Sequence, residues 1–273
     1  MEVLSSAVVR QVARCAALWV LARAGVAAPQ AEGSPVCRTD SGSERLVVLE
    51  LYTSEGCSSC PPADRWLSRE FGEGRTAHGA VPLAFHVDYW NRLGWPDRFS
   101  RPEFSARQQT VAARGGKAVI YTPQFVLDGQ DVKPGQLPYG KDSSWGPDAA
   151  GPSARITMWT GTARDGSVRV QGRVAVDDPG RLRRAEARVA LTQNRLESQV
   201  TAGENGGRRL HHDHVVRAWS GPYLPDAAGD ITFDVRLPRP AEFRVDSAAV
   251  VVFVEDAGTG RTLQALSAPI CRD

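Results

Sequence analysis

Residues 46–64 read LVVLELYTSEGCSSCPPAD, an apolar run followed by a polar turn, two cysteines and two prolines. The run over residues 46–52 is short and rich in valine and leucine, which is typical of a strand buried on both faces. The two prolines favour the first turn of a helix, where a missing backbone N–H costs nothing. The pattern therefore predicts that Cys57 and Cys60 lie between a buried strand and the start of a helix.

Strand and helix signals alternate as far as residue 139. Residues 81–87 form a second apolar run, residues 103–114 have a helical pattern, and residues 125–127 form a third strand after Thr122-Pro123. Strand, helix, strand, helix, strand is the order of an α/β unit with a mostly parallel sheet. With a Cys-x-x-Cys pair at the first strand-to-helix junction, we expect a thioredoxin-like domain over residues 44–139.

The second half of the sequence has a different pattern. Residues 140–153 are dense in Pro, Gly, Ser and Asp, a composition that marks a linker. Beyond it, about seven short strand-like runs are separated by turn signals, which favours an all-β sandwich over residues 154–273. The predicted fold class is therefore an α/β thioredoxin-like domain followed by an all-β sandwich-like domain.

The N-terminus has the three parts of a secretory signal. Arg10 and Arg14 precede a short apolar core, and small residues follow it up to Ala28. We expect a signal peptide over residues 1–28, a flexible leader over residues 29–43, and a secreted or periplasmic protein. A disordered cytoplasmic tail is the alternative. The apolar core is too short to span a bilayer, which takes about 20 apolar residues, and no other segment predicts a membrane span.

Composition and charge narrow the class of protein. Hydrophobic residues make up 42% of the chain and charged residues 23%, which is ordinary for a globular protein. The formal net charge is +2. So small an excess of basic residues favours neither nucleic acid nor an anionic membrane surface as a partner.

The cysteine count fits an exported protein. Cleavage of the signal peptide would remove Cys15 and leave four of the five cysteines, and an even number suits an oxidising compartment. Four cysteines allow three pairings. We expect Cys57–Cys60 as one pair and a structural disulfide between Cys37 and Cys271 as the other. Two free thiols are the alternative for the second pair.

The Cys-x-x-Cys pair predicts thiol–disulfide exchange. At a helix N-terminus the helix dipole and free backbone N–H groups stabilise a thiolate, the form that attacks disulfides. We expect Cys57 to be the attacking thiolate and Cys60 the thiol that resolves the mixed disulfide. The partners would be protein or small-molecule thiols and disulfides. No cofactor is implied, because the dithiol itself carries two electrons.

Other residues are expected beside the cysteines. A proline before the third strand of a thioredoxin-like domain is cis and faces the cysteines, so we expect Thr122 and Pro123 to contact the substrate; an ordinary trans proline is the alternative. His86 and Asp88 end the second strand, where α/β folds place their sites, and we expect them to tune the cysteine pair. A loop carboxylate that caps a turn is the alternative for Asp88.

Two other functions stay open at this point. The cysteine pair can be an inert structural disulfide in a binding protein whose β-rich domain recognises a protein partner. Cys57, Cys60 and His86 also have the chemistry to bind Cu(I), which prefers soft thiolates. Zinc usually needs two more cysteine or histidine ligands than the pair supplies, and a second Cys-x-x-Cys is absent from the sequence.

The sequence also contains a histidine-rich stretch and two tryptophans of interest. On a strand, His212 and His214 would share one face while His211 points away. Two ligands without a third make a weak site, so we assign no metal and expect a solvated or hydrogen-bonded cluster. Trp90 and Trp95 pack in the core, or they wall a groove beside the cysteines.

Several motifs resemble those of one family. They lie at residues 50–64, 86–90, 93–95, 107–108, 121–124, 203–208 and 214–217. On these motifs the chain resembles the secreted thioredoxin-like family catalogued as domain of unknown function 1223. The resemblance implies a thioredoxin-like fold, export and an appended β-rich domain. It implies no activity, because the function of that family is not established. Tyr52 stands where phenylalanine is more usual.

Overall fold

The computed structural model describes residues 36–72, 79–137 and 151–271. Contacts divide the chain into two units, Met1–Gln30 and Ala31–Asp273, and all the described residues belong to the second. The predicted signal peptide, part of the predicted leader and most of the predicted linker lie outside the described residues. No helix within the described ranges is long and apolar enough to cross a membrane.

The described residues form fourteen strands and three α-helices. The strands are β1 (Cys37–Asp40), β2 (Val47–Thr53), β3 (Ala80–His86), β4 (Gln124–Leu127), β5 (Gln130–Val132), β6 (Ala154–Thr162), β7 (Val168–Val176), β8 (Ala185–Gln193), β9 (Leu196–Gln199), β10 (Arg209–His212), β11 (Val215–Tyr223), β12 (Ile231–Leu237), β13 (Ala248–Asp256) and β14 (Thr262–Pro269). The helices are α1 (Pro61–Phe71), α2 (Pro102–Arg114) and α3 (Pro179–Leu182).

One eight-stranded sheet runs through the molecule in the order β14-β13-β8-β11-β3-β2-β4-β5. Strand β3 lies inside it and pairs in parallel with β2 on one side and with β11 on the other. The remaining pairs in this sheet are antiparallel. A separate four-stranded sheet has the order β1-β6-β7-β12, and β9 and β10 form a two-stranded ribbon.

The predicted fold class is wrong. The predicted strand–helix–strand–helix–strand segment forms close to the expected positions, but it is not a separate α/β thioredoxin-like domain. Its strands continue into β11, β8, β13 and β14, so the molecule is mostly β-sheet. The join is the parallel pairing of Ala84 with Val215. Hydrophobic periodicity predicts strands but does not report which strands pair, and for that reason the sequence did not predict this join.

The proposed domain limits, residues 44–139 and 154–273, stay a prediction. What the structure adds is that both segments supply strands to the large sheet. The four-stranded sheet shares a core with the C-terminal strands of the large sheet, through residues such as Ile156, Val189 and Val252. Two sheets with a common core make a sandwich-like arrangement.

Alternation along β13 shows that the large sheet is buried on both faces. Val250 and Val252 belong to the core shared with the four-stranded sheet, while Val251 and Phe253 belong to a core that includes Phe104 of α2. Side chains on a strand point alternately to opposite faces. Near-continuous apolar runs, such as those of β2 and β13, follow from this double burial.

A buried ionic network joins α2 to the large sheet. Arg107 Nη1 lies 2.6 Å from Glu255 Oε1, and Nη2 lies 2.7 Å from Glu50 Oε1. The side chains of all three residues are at most 4% exposed. The guanidinium therefore ties a strand of each half of the chain to the same helix.

Candidate functional site

The two cysteines lie where a buried strand meets a helix. Strand β2 is buried along its whole length, and a turn after it brings Cys57 N within 3.2 Å of Ser54 O. Cys60 is the residue before the first turn of α1, which begins with two prolines as expected. The pair is a disulfide with Cα atoms 5.4 Å apart, so this part of the predicted pairing is confirmed.

The second predicted disulfide is also confirmed. Cys37 and Cys271 are bonded, with Cα atoms 5.3 Å apart and a sequence separation of 234. Cys37 belongs to β1, which pairs with β6. Disulfides of this kind are typical of oxidising compartments, which is consistent with an extracellular location.

Neither cysteine is open to solvent. Cys57 and Cys60 are both 0% exposed, while Ser58 and Ser59 between them are exposed. The Ser59 hydroxyl lies 3.4 Å from Cys57 Sγ. The exposed surface of the cysteine turn is therefore formed by the two serines and not by either sulfur atom.

A segment of the C-terminal half covers this corner. We name residues 200–208 the covering loop; it follows β9 and leads into β10. Glu204 Oε2 accepts a hydrogen bond of 3.0 Å from Ser58 N, and Asn205 Nδ2 donates to Glu55 O and to Cys57 O at 2.8 and 2.9 Å. Asn205 is completely buried. The motif at residues 203–208 therefore forms hydrogen bonds directly with the turn that carries Cys57.

Trp90 links the cysteine turn to the Thr122–Pro123 segment. The Thr122–Pro123 peptide bond is cis, as expected. Trp90 Nε1 donates a hydrogen bond of 2.8 Å to Thr122 Oγ1. A Cβ atom added at Gly56, next to Cys57, would lie 3.2 Å from Trp90 Cβ. Trp90 is half-buried. It therefore packs against Gly56 through its Cβ atom and holds Thr122 through its indole N–H.

His86 is fully buried and bound to a carboxylate that the sequence analysis did not identify. Its Nδ1 lies 2.7 Å from Asp97 Oδ2, and Asp97 also accepts hydrogen bonds from the backbone N–H groups of Glu55 and Phe99. Burial lowers the pKa of His86, but the Asp97 carboxylate outweighs it and raises the pKa above its ordinary value. Burial raises the pKa of Asp97, and His86 outweighs that effect and lowers it.

Asp88 is placed differently from His86. Its carboxylate accepts a hydrogen bond of 2.5 Å from Ser105 Oγ, and its backbone N–H donates to the same hydroxyl at 3.2 Å. Its backbone carbonyl accepts from Asn91 N. These contacts match the turn-capping alternative and join the end of β3 to α2. Tuning of the cysteine pair by Asp88 stays a prediction.

His212 comes from the C-terminal half and completes a buried group of ionisable side chains. Its ring centroid lies 4.9 Å from that of His86. Its Nε2 lies 3.4 Å from Glu55 Oε1, and its Nδ1 lies 3.8 Å from Asp64 Oδ2. We name the residues Glu55, Asp64, His86, Asp97 and His212 the buried ionisable cluster.

His212 and His214 do not share a strand face. His212 is the last residue of β10, whereas His214 lies beyond the strand with a φ of 56°. His214 Nε2 lies 2.9 Å from Phe71 O, and His211 is exposed. Among the described residues, no group of three or more His, Cys, Asp or Glu side chains is arranged to hold a metal ion.

Trp95 is partly buried and contacts the buried ionisable cluster. Its Nε1 donates a hydrogen bond of 2.7 Å to Glu55 Oε2. Burial raises the pKa of Glu55, but the contacts with His212 and Trp95 outweigh it, and the pKa is lowered. The signal that could have identified part of the cluster is the spacing of Asp64, which is four residues after Cys60 and therefore on the same side of α1.

Comparison with known proteins identifies a family and two solved structures of similar fold. A family model described as "Protein of unknown function (DUF1223)" matches residues 48–255. Protein AGR_C_4864 from Agrobacterium tumefaciens is 22% identical, with a TM-score of 0.54, and the match covers 85% of this chain and 98% of that one. HBP35 of Porphyromonas gingivalis is 15% identical, with a TM-score of 0.59, over 84% of this chain and 76% of that one. At these identities the likeness concerns the fold alone. No curated protein matches the chain.

Proposed function

The chain belongs to the DUF1223 family of proteins of unknown function, and we propose that it exchanges thiols and disulfides through Cys57 and Cys60. One observation carries the proposal: the pair forms a disulfide at the N-terminal end of α1, directly after a turn that follows a buried strand. At that position backbone N–H groups and the helix dipole favour a thiolate on the first cysteine.

The exchange has two steps and passes through a mixed disulfide between Cys57 and the client. In the dithiol form, the Cys57 thiolate attacks one sulfur of a client disulfide and releases a client thiolate. Cys60 then loses its proton and attacks Cys57 Sγ, which releases the second client thiolate and forms the Cys57–Cys60 disulfide. The client gains two electrons and the pair loses two. The reverse sequence oxidises a client dithiol.

Residues near the cysteine pair contact the client and tune the cysteines. Thr122 and Pro123 shape the contact with the client, supported by the hydrogen bond that holds Thr122 on Trp90. His86 tunes the pair from the buried ionisable cluster. Clients are thiols or disulfides of proteins or small molecules. A secreted or periplasmic location is part of the proposal, and the two disulfides support it.

Trapping with Cys60→Ala tests the proposal. Without the resolving thiol, a client remains bonded to Cys57, and non-reducing electrophoresis and mass spectrometry identify it. Cys57→Ala/Cys60→Ala is the matched control, and it retains no client. A Cys60→Ala protein that forms no mixed disulfide, even with a small disulfide such as oxidised glutathione, contradicts the proposal.

A second function is favoured by the burial of the pair. Both cysteines are 0% exposed and are held by the covering loop, as expected for an inert structural disulfide in a binding protein. The reduction potential separates the two functions. A potential below about −300 mV with no exchange supports the structural disulfide, and a higher potential with exchange supports the redox role.

A further inference from the structure

Arg217 is a buried arginine whose charge is not paired. It lies on β11, and the residue is 8% exposed. Within the part of the chain that the structure describes, no carboxylate forms an ion pair with its guanidinium, and its hydrogen bond runs from Nη1 to the neutral Gln193 Oε1, at 2.6 Å. Buried charges are ordinarily paired, because their removal from water is costly. A negatively charged group beside Arg217 would therefore stabilise it.

The donors that Gln193 leaves unused lie on one edge of the Arg217 guanidinium. Nη1 is engaged, and one N–H of Nε and one of Nη2 point the same way in the plane of the group. Two parallel N–H donors match the two oxygen atoms of a carboxylate, or two of those of a phosphate or sulfate. Among the residues described, the enclosed side-chain nitrogens that have no hydrogen-bond partner do not include these two, so solvent reaches this edge.

Two further arginines approach the same place. The guanidinium carbons of Arg98 and Arg217 lie 4.7 and 5.0 Å from the centroid of the Phe99 ring. Arg101, the residue before α2, is near enough for its charge to act on Arg217. Like charges brought together repel one another, and a bound anion would reduce the repulsion among the three arginines.

Glu242 is a carboxylate whose charge acts on Arg217, but it is engaged by another arginine. Arg98 Nη1 lies 2.6 Å from Glu242 Oε2, and the Glu242 side chain is 72% exposed. Burial lowers the pKa of Arg217, and Arg98 and Arg101 lower it further, so that in spite of Glu242 it falls from 12.5 to about 10. The surroundings therefore disfavour the positive charge of Arg217, although the group remains charged at neutral pH.

We propose that Arg217, with Arg98 and Arg101 beside it, binds an oxyanion: the carboxylate, phosphate or sulfate group of a small ligand. Nε and Nη2 of Arg217 donate to two oxygen atoms of the anion, and the other two arginines contribute positive charge. The inference uses neither cysteine and goes beyond thiol–disulfide exchange. The Phe99 ring also contacts His86, with ring centroids 5.3 Å apart, so the anion site adjoins the buried ionisable cluster.

Titration of the wild-type protein with inorganic phosphate, sulfate and acetate tests the proposal. The ionic strength is held constant with chloride, since salt screens exposed charges. Nitrogen-15 NMR follows the Nε–H signals of the arginines, and we expect the Arg217 signal to shift along a saturable one-to-one curve. Tighter binding of acetate indicates a carboxylate ligand, and tighter binding of phosphate or sulfate indicates a tetrahedral oxyanion. No saturable shift with any of the three anions overturns the proposal.

Three variants separate this site from the general charge of the protein, with affinity measured by calorimetry. Arg217→Gln removes the charged donor pair and should weaken binding at least about tenfold, because hydrogen bonds between charged groups are the strong ones. Arg217→Lys keeps the charge without the planar donor pair and should restore only part of the affinity. Arg164→Gln removes the same charge from an exposed turn after β6 and should change nothing. Equal losses in Arg164→Gln and Arg217→Gln overturn the proposal.

Urea unfolding distinguishes binding from a purely structural role of Arg217. A ligand that binds only the folded state raises the free energy of unfolding as its concentration rises. Phosphate and sulfate also stabilise proteins in general, so the deciding quantity is the difference between wild type and Arg217→Gln. We expect the anion that binds most tightly to stabilise the wild type more than the variant. The same gain in both proteins, relative to chloride, overturns the anion site.

Discussion

Asn205 Nδ2 donates a hydrogen bond of 2.9 Å to the carbonyl oxygen of Cys57, although 148 positions of the chain separate the two residues. The same amide nitrogen donates to Glu55 O at 2.8 Å. Both carbonyl groups belong to the turn that carries the first cysteine, and Asn205 is fully buried. The geometry of the cysteine turn is therefore set in part by the covering loop of the other half of the chain.

Replacement of this amide should loosen the turn. Asn205→Ala leaves two backbone carbonyls without their donor, and we expect a loss of about 1–3 kcal/mol in the free energy of unfolding. We also expect faster reduction of Cys57–Cys60 by dithiothreitol, because the covering loop no longer holds the turn. Urea unfolding and thiol-release kinetics measure the two effects. Gln109→Ala, at an exposed position on α2, is the control; equal effects in both variants would contradict the role of Asn205.

The ionic network on α2 should be important for stability. Arg107→Met leaves the buried carboxylates of Glu50 and Glu255 without their main partner, and we expect a loss of about 3–5 kcal/mol. Arg38→Met breaks an exposed pair with Asp40 and should cost about 0–1 kcal/mol. Chemical denaturation at pH 7 measures both, and a small effect of Arg107→Met would show that the network is dispensable.

The same network predicts how stability falls in acid. Burial raises the pKa of Glu255, but Arg107, Arg114 and Arg188 outweigh it and hold the pKa at about 2. Because the folded pKa of Glu255 lies below the ordinary glutamate value of 4.5, this stabilisation is present above about pH 4.5 and is lost as the pH falls toward 2. Urea unfolding across this range should show the decline. In Glu255→Gln the decline should be smaller, and an unchanged slope would contradict the assignment.

For the His86–Asp97 pair we expect the opposite pH dependence: its contribution to stability falls as the pH rises. The folded pKa of His86 is raised above 6.5, so the stabilisation from the pair is fully present below about pH 6.5 and is lost as the pH rises through the folded pKa. Asp97→Asn should lower the pKa of His86 and remove this dependence, as proton NMR of the imidazole would show. His211→Gln, at an exposed position, should leave it intact. An unshifted His86 titration in Asp97→Asn would rule out the pairing as the cause.

The two disulfides should contribute unequally to stability. Cys37–Cys271 closes a loop with a separation of 234 residues, and Cys57–Cys60 closes one of 3. A disulfide that closes a longer loop restricts the unfolded chain more. We expect Cys37→Ser/Cys271→Ser to lose about 2–5 kcal/mol, and Cys57→Ser/Cys60→Ser to lose less. Denaturation of both variants without reductant tests the order, and a reversed order would refute it.

The features that local pattern controls were predictable from the sequence. Buried strands, the prolines at the start of α1 and the turn before Cys57 each depend on a few consecutive residues. The pairing of Cys37 with Cys271 was predictable for another reason, since the cysteine count left few choices. Both expected disulfides, Cys37–Cys271 and Cys57–Cys60, are present in the structure.

Relationships between distant segments were not predictable in the same way. Nothing near Ala84 indicates that Val215 pairs with it, and this one pairing changes the fold class. Asp97 was missed because it lies in a loop, and its role depends on the position of His86 across the turn. The place of His212 beside His86 was not predictable either, because β10 comes from the other half of the chain.

The pairing of β3 with β11 has a consequence for how the protein can be cut or recombined. A fragment that stops before residue 154 lacks β11, and β3 then loses the partner of Ala84 and becomes an uncovered apolar edge. An open edge of this kind is a template for intermolecular pairing and aggregation. A circular permutation or fusion that preserves β11 beside β3 should remain monodisperse, whereas one that separates them should not. The two halves of the sequence are therefore expected to be inherited as one piece and not exchanged as independent modules.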